Sequence, residues 1–480
     1  MNHIDCVEKN FDEEVEVLRE MIQCISVAGE AEEGSAGEVY PFGRGVQDIL
    51  EYTLKKGEEL GFSFENIDNY GAHIDFGEGE EVVGIVGHLD VVPEGDGWSF
   101  DPYSGEVKDG FIYGRGTTDD KGPVCACLYA MKALKDAGFV PDRKIRLILG
   151  LDEETNWKGM EYYLSKVKAP DFGFTPDGDF PVINGEKGIL VFELAKKFSP
   201  KKVKGLELRS FEGGQVPNMV AEKARAVVRT DAKDPKSVYE EIKEKVKEYK
   251  EETGYEISCR GMGKSLEISV VGKSAHGASP ELGLNAISVL LDFLSRLNFA
   301  DEEVNDLIEF YNSHIGFEVN GEHLGCAFED EPSGKLTVNV GMAKYDRDSV
   351  TFVINVRYPV TSTEEEVYAG LQPVADRYNM GVVKHASQDP IMMDKDSLLI
   401  KTFMDAYSNY TGDTESEPVV MGGGTYARAM KNVVAFGALF PGDPDVMHQK
   451  DERLELDRFL TMTKIYAQAI CKISSADFKF

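Results

Sequence analysis

Five short runs of the chain carry histidines and carboxylates suited to handling a metal ion. "VVGIVGHLDVVP" (82–93) is apolar enough to be buried in a sheet, yet it reaches His88 and Asp90 before it ends. "GRGTTDDKGP" (114–123) sets Asp119 and Asp120 directly before a helical pattern. "LDEET" (151–155) places Glu153 and Glu154 behind another apolar run, and "FTPDGDFPV" offers Asp177 and Asp179 in a turn-rich loop. "FPGDPDVMHQKDE" (440–452) carries His448 far along the chain. A neutral imidazole ligates metals well, and a neighbouring carboxylate fixes its tautomer and raises its basicity. Adjacent carboxylates can divide labour, one holding a cation and the other moving a proton.

Each run has a plainer reading by itself. His88 could be a structural histidine bonded to a turn aspartate, Asp119 and Asp120 a helix cap, and Glu153 and Glu154 solvated acids. Together they put His, Asp, Glu, Asp and His at the loop ends of successive elements. Nitrogen and oxygen donors of this kind suit zinc, manganese or cobalt. Five such ligands with one carboxylate shared would hold two ions on the order of 3.5–4 Å apart, with a hydroxide between them.

The elements that must position these groups follow from periodicity. Positions two apart on a strand share a face, so His88 and Asp90 would point one way at a strand's C-terminal end. In open α/β sheets that edge is where ligands bind. Helical spacing runs over 12–25 and 43–60, where Val46, Ile49, Leu50, Leu54 and Leu60 fall near one face and Gly61 follows as a stop. "GPVCACLYAMKALKDAG" reads as a helix with Pro123 in its first turn and Gly138 at its end. "KIRLILGLDEE" is a second buried-strand pattern ending in acids.

Alternating strands and helices imply an α/β catalytic domain with a mainly parallel central sheet. After residue 187 long strand pairs alternate with charged helices, the texture of an α+β sheet with helices on one face. From residue 384 the α/β style returns, with "NVVAFGALFPG" as a core strand. The expected organisation is a catalytic domain in two parts, 1–186 and 384–480, interrupted by an inserted α+β domain at 187–383.

Composition narrows the partners. The 480 residues hold 85 acidic and 52 basic side chains, a formal charge of -33. That field opposes nucleic acid and anionic membranes and favours cationic ligands. The seven cysteines are scattered without zinc-finger spacing, as expected for reduced thiols. The N-terminus lacks a basic region followed by an apolar one, and no stretch of about 18 apolar residues exists. A cytoplasmic protein is expected.

At "GHLDVVP", "GRGTTDDKGP", "DEET", "TPDGDFPV" and the late histidine, the chain resembles the two-metal peptidase family of aminoacylase, carboxypeptidase G and the carnosinases. Within that family it is most similar to the PepV and Xaa-His dipeptidase branch. The likeness spans almost the whole chain, and it implies a zinc-peptidase-type catalytic domain with the insertion acting as a lid. By motif it assigns His88 and Asp177 to one cation and Glu154 and His448 to the other, with Asp119 bridging both and its peptide bond to Asp120 expected to be cis. It makes Asp90 the support of His88 and Glu153 the general base. Two divalent ions are implied, zinc foremost, with manganese or cobalt as alternatives. The aspartate at position 177, where deacylases and carboxypeptidases of the family tend to carry glutamate, points to unblocked dipeptides.

The same resemblance reads the insertion. "SAHGASP" gives His276 as the donor that stabilises the oxyanion, and "GGQVPNMV" and "INVRYPV" give Asn218 and Arg357 as holders of the substrate's C-terminal carboxylate. A guanidinium is the best clamp for such a group, although a surface ion pair is the ordinary role of an arginine. "VVMGGGTYARAM" (419–430) lacks a following GK[ST] and is no P-loop. It resembles the family's substrate loop, with Gly424, Thr425 and Arg428 contacting the peptide. Enlarged lids in this branch imply a monomer acting on small peptides. The rival readings are an N-acyl-amino-acid deacylase or carboxypeptidase with the same two-metal site, and a scaffold that keeps the fold without catalysis. No G-x-S-x-G supports serine chemistry.

Overall fold

The computed structural model describes residues 2–35, 37–199 and 203–480. Met1, Ala36 and residues 200–202, which fall within the spans expected for the two domains, lie outside the described residues. The chain divides into two compact units. One is Met1–Gly185 with Met393–Val419 and Gly424–Phe480, and the other is Glu186–Met392 with Val420–Gly423.

The first unit is built on a mixed sheet. From one side its strands run Val433–Ala435, Phe172–Thr175, Val82–His88, Lys144–Gly150, Gly71–Phe76 and Ser63–Ile67. The first four are mutually parallel. Gly71–Phe76 and Ser63–Ile67 continue antiparallel, and Ile183 pairs antiparallel with Ala435 at the other side. The expected α/β unit is present, with these four central strands forming a parallel core. Val82–His88 is buried at every position, because strands covered on both faces read as unbroken apolar runs.

Helix Lys121–Asp136 packs against His3–Gln23 and Leu456–Ile473, and Leu456–Ile473 also packs on Leu398–Thr411. The helix expected to start near residue 12 begins at His3, because the Asn2 side chain accepts from the Asp5 amide in a capping box. The helix expected over 43–60 spans Arg44–Glu59. Gly61 follows at φ +80°, the left-handed conformation that ends helices. Among the described residues no helix is long and apolar enough to cross a membrane.

The second unit is an eight-stranded antiparallel sheet. Its order is Glu256–Met262, Ser265–Val271, Lys223–Thr230, Leu206–Gly213, Thr337–Tyr345, Ser349–Tyr358, Gly188–Lys197 and Gly381–Gln388. Alternate residues of Lys223–Thr230 are buried, the signature of a sheet covered on one face. Helices Pro235–Thr253, Ala286–Ser295, Glu302–His314 and Glu364–Arg377 contribute to its core.

Candidate active site

Parallel strands carry the candidate residues to a common edge. His88 ends Val82–His88 and lies in register with Gly150, the last residue of Lys144–Gly150. Glu153 and Glu154 follow that strand, and Asp177 follows Phe172–Thr175. Small residues at these ends permit close approach. A Cβ at Gly87 would stand 2.7 Å from an Asp120 carboxylate oxygen, and one at Gly150 would stand 2.2 Å from the Tyr426 ring.

Asp119 lies at the centre of the cluster. Its Oδ1 is 3.0 Å from His88 Nε2, and its Oδ2 is 2.9 Å from His448 Nε2. His448 Nε2 is also 2.9 Å from Glu154 Oε1, and His88 Nε2 is 3.9 Å from Asp177 Oδ2. Among the described residues, two three-residue groups have donor atoms close enough to hold a cation, His88–Glu153–Asp177 and His88–Asp119–Glu154. Donors bonded to one zinc at about 2.0–2.2 Å stand on the order of 3 Å apart, so the observed spacings suit shared cations. Glu153, expected as a base, also offers an oxygen within reach of His88 and Asp177.

Backbone contacts hold this cluster. The Asp90 carboxylate accepts from the Glu153 and Glu154 amides, each at 3.1 Å. His88 Nδ1 lies 2.9 Å from the Asp90 carbonyl and 3.4 Å from its carboxylate. Asp90 thus touches His88 as expected and also pins the acids of the next strand. The bond between Asp119 and Asp120 is cis. Asp120 makes no side-chain cap to the helix it precedes, and its Oδ2 accepts instead from the His88 amide at 3.0 Å.

The electrostatics are those of an anionic pocket. Burial pushes Glu153 well up, helped by the charge of Asp177, and burial with the charge of Asp119 raises Glu154. Asp120 is likewise raised well above the usual carboxylate range by burial. Burial alone would lower His448, but Asp119 and Glu154 push it up to about 11. His88 rises against burial because Asp119 and Asp90 face it. Asp119 is held low despite burial by the two histidines it joins. Crowded carboxylates at this separation call for compensating positive charge, which protonated imidazoles or divalent cations can supply.

The remaining candidates lie elsewhere in the two units. In the second unit Asn218 and His276 are exposed on neighbouring loops, with Met219 and His276 bridged antiparallel and the Gly277 amide donating to the Asn218 carbonyl at 2.7 Å. Asn339 donates to the Pro217 and Met219 carbonyls at 3.0 and 2.9 Å, fixing the backbone on both sides of Asn218. Arg357 is buried near the end of its strand and donates to Asn355 Oδ1 and the Gly422 carbonyl, each at 3.0 Å. In the first unit Gly424 precedes Thr425, whose hydroxyl accepts from the Ala427 amide at 3.1 Å as the cap of a short turn containing Arg428.

Several supporting residues escaped the sequence reading. The Trp157 indole donates to the Glu153 carbonyl at 2.9 Å and packs edge-on against Tyr426, with centroids 5.2 Å apart. Tyr426 in turn lies edge-on to His88 at 6.5 Å. Arg115 and Glu452 form an ion pair at 2.5 Å with side chains 1% and 0% exposed. Only their neighbourhood to Asp119 and His448 in sequence could have flagged the last two.

The parallel-sheet edge gathers imidazoles and carboxylates that could hold cations, and the family match makes the chain a metal-dependent peptidase. The chain belongs to Peptidase family M20/M25/M40, whose profile matches residues 84–472. "Putative dipeptidase YtjP" of Bacillus subtilis (strain 168) is 37% identical over 461 residues, covering 96% of this chain and 97% of that protein. The fold is similar to that of human carnosine dipeptidase 1 at TM-score 0.55 and 18% identity, covering 98% of each chain. It also resembles aminoacylhistidine dipeptidase from Vibrio alginolyticus at TM-score 0.54 and 15% identity, covering 95% of each chain.

Proposed function

We propose that the protein hydrolyses unblocked dipeptides with two divalent cations held by His88, Asp119, Glu154, Asp177 and His448. One observation carries the reading: the two oxygens of Asp119 each face a different histidine, at 3.0 and 2.9 Å. A carboxylate placed between two imidazoles in a pocket of buried acids is the arrangement a shared ligand requires. The raised protonation of Glu153 and Glu154 is what such a pocket adopts when protons must do the work of cations.

When bound, a cation pair supplies Lewis-acid polarisation and acidified water. Glu153, its amide held by Asp90 and its carbonyl by Trp157, takes the proton of the attacking water and passes it to the leaving amine. Asp90 orients His88 and anchors both glutamates. The family resemblance supports His276 as the oxyanion donor and Asn218 and Arg357 as holders of the C-terminal carboxylate, with Gly424, Thr425 and Arg428 in the substrate loop. It supports equally a small-peptide substrate, zinc before manganese or cobalt, a monomer, and an inserted domain, expected at 187–383 and carried further by the strand Gly381–Gln388 of the second unit's sheet. The free cysteines support a cytoplasmic location.

The test is a panel of Ala-Ala-type dipeptides beside N-acetylated amino acids. Each is assayed on metal-stripped protein and after return of zinc, manganese or cobalt. Dipeptide cleavage restored by metal is expected. Preference for the blocked substrates would replace this reading with the deacylase.

A further inference from the structure

Glu452 is a completely buried carboxylate with no part in the chemistry above. Its two oxygens do different work. Oε1 accepts from the Gly116 amide at 3.1 Å, the Thr118 amide at 2.9 Å and the Thr118 hydroxyl at 3.0 Å. Oε2 takes Arg115 Nη1 at 2.5 Å. Arg115 Nη2 extends the link to the carbonyls of Pro93 and Glu94, at 3.4 and 3.3 Å, in the loop that follows Asp90. One buried ion pair therefore ties together the loops that carry Asp90, Asp119 and His448.

The need for such a tie is local. His448 sits at φ +60° in a stretch without helix or strand, with its side chain 53% exposed. Asp119, by contrast, is buried and follows directly on the backbone that Glu452 grips. The backbone amide of Gly114 also donates to the Glu452 carbonyl at 2.9 Å, so side chain and main chain grip the same loop.

We infer that Glu452, paired with Arg115, is a positioning residue that sets Asp119 against His448 and thereby the affinity for the cation these residues share with Glu154. The inference rests on the two-cation reading above. Replacing partners of this kind lowers metal affinity by about 10–100-fold where their role is to orient ligands.

The deciding experiment titrates zinc into metal-free protein by calorimetry, alongside melting curves of the same metal-free samples. Wild type is compared with Glu452→Gln, Thr118→Val and the double variant Arg115→Met/Glu452→Gln. Glu452→Gln should weaken one zinc-binding event by about 10–100-fold and disturb the other far less. Thr118→Val, which deletes one donor to Oε1, should weaken the same event by a smaller factor. The double variant also loses the Arg115 link to the Pro93 and Glu94 carbonyls, so it should weaken the same event at least as much as Glu452→Gln.

A purely stabilising ion pair would lower the melting temperature and leave zinc affinity unchanged in every folded variant, which would overturn the inference. Should Glu452→Gln fail to fold, Thr118→Val and the double variant decide by the same criterion. Wild-type protein that took up no zinc would overturn the two-cation reading and this inference with it.

Discussion

In the first unit His88 and Asp90 are 1% and 0% exposed, and their neighbours Glu153 and Glu154 have backbone amides tied down by Asp90. Of the three candidates in the second unit, Asn218 and His276 are exposed on loops and Arg357 is buried. The contrast fits the tasks proposed for the two regions. Charges that must face one another at about 3 Å need a scaffold that neither moves nor admits competing water, and parallel strand ends provide it. Groups that must meet substrates of varied side chain can sit on loops, provided the backbone beneath them is fixed. Asn339 provides that fixing beneath Asn218.

The largest expected effect lies in the rigid region. Glu153→Gln removes the proposed base but not the amide that Asp90 holds, so kcat should fall by about 10²–10⁴-fold with cation content intact. Metal analysis beside steady-state kinetics reads both quantities. Loss of bound cation together with turnover would make Glu153 a ligand, in keeping with its place beside His88 and Asp177.

His276→Ala addresses the exposed region. Deleting one oxyanion donor costs about 10²–10³-fold in kcat in comparable hydrolases, and that loss should appear here with KM little changed. An unaltered kcat would confine the second unit to binding and sharpen the contrast between the regions. Arg357→Lys should act in the other parameter. The lysine keeps the charge but loses the planar fork, so KM for dipeptides should rise on the order of tenfold or more while N-terminal side-chain preference stays the same. Because the guanidinium also holds the Gly422 carbonyl, a change in preference would mean that the loop, rather than the carboxylate, carries the effect.

The strand ends were the most legible part of the chain. An unbroken apolar run breaking into His88 or Glu153 marks a buried strand meeting a polar edge, and the sheet places both there. The helix ending before Gly61 was legible because a left-handed residue is required just past it. Long-range partners were not legible. Asp120 has the sequence context of a helix cap, but the close approach allowed by Gly87 lets it hold the His88 amide instead. Nothing local marks Glu452 as buried, since its partners lie more than three hundred residues earlier in the chain. Mixed strand direction was similarly hidden, because Gly71–Phe76 is as buried over most of its length as its parallel neighbours.

The smallest expected effect concerns the scaffold of the first unit. His73 is buried on Gly71–Phe76, with Nδ1 2.9 Å from the Tyr163 hydroxyl and Nε2 3.8 Å from Asp75. Burial, with the charge of Arg146, lowers its pKa to about 4, against 6.5 for an unperturbed histidine. The unfolded chain therefore takes up this proton near pH 6.5, while the native protein takes it up only near pH 4. Stability from the neutral ring is complete above pH 6.5 and is lost progressively as pH falls toward 4. His73→Gln removes that proton linkage and retains a polar group for Tyr163. Its melting temperature should fall less steeply than wild type between pH 6.5 and 4.5, although it is lower at pH 7.5. Parallel slopes for the two proteins would assign the acid sensitivity of this unit to the carboxylate cluster rather than to His73.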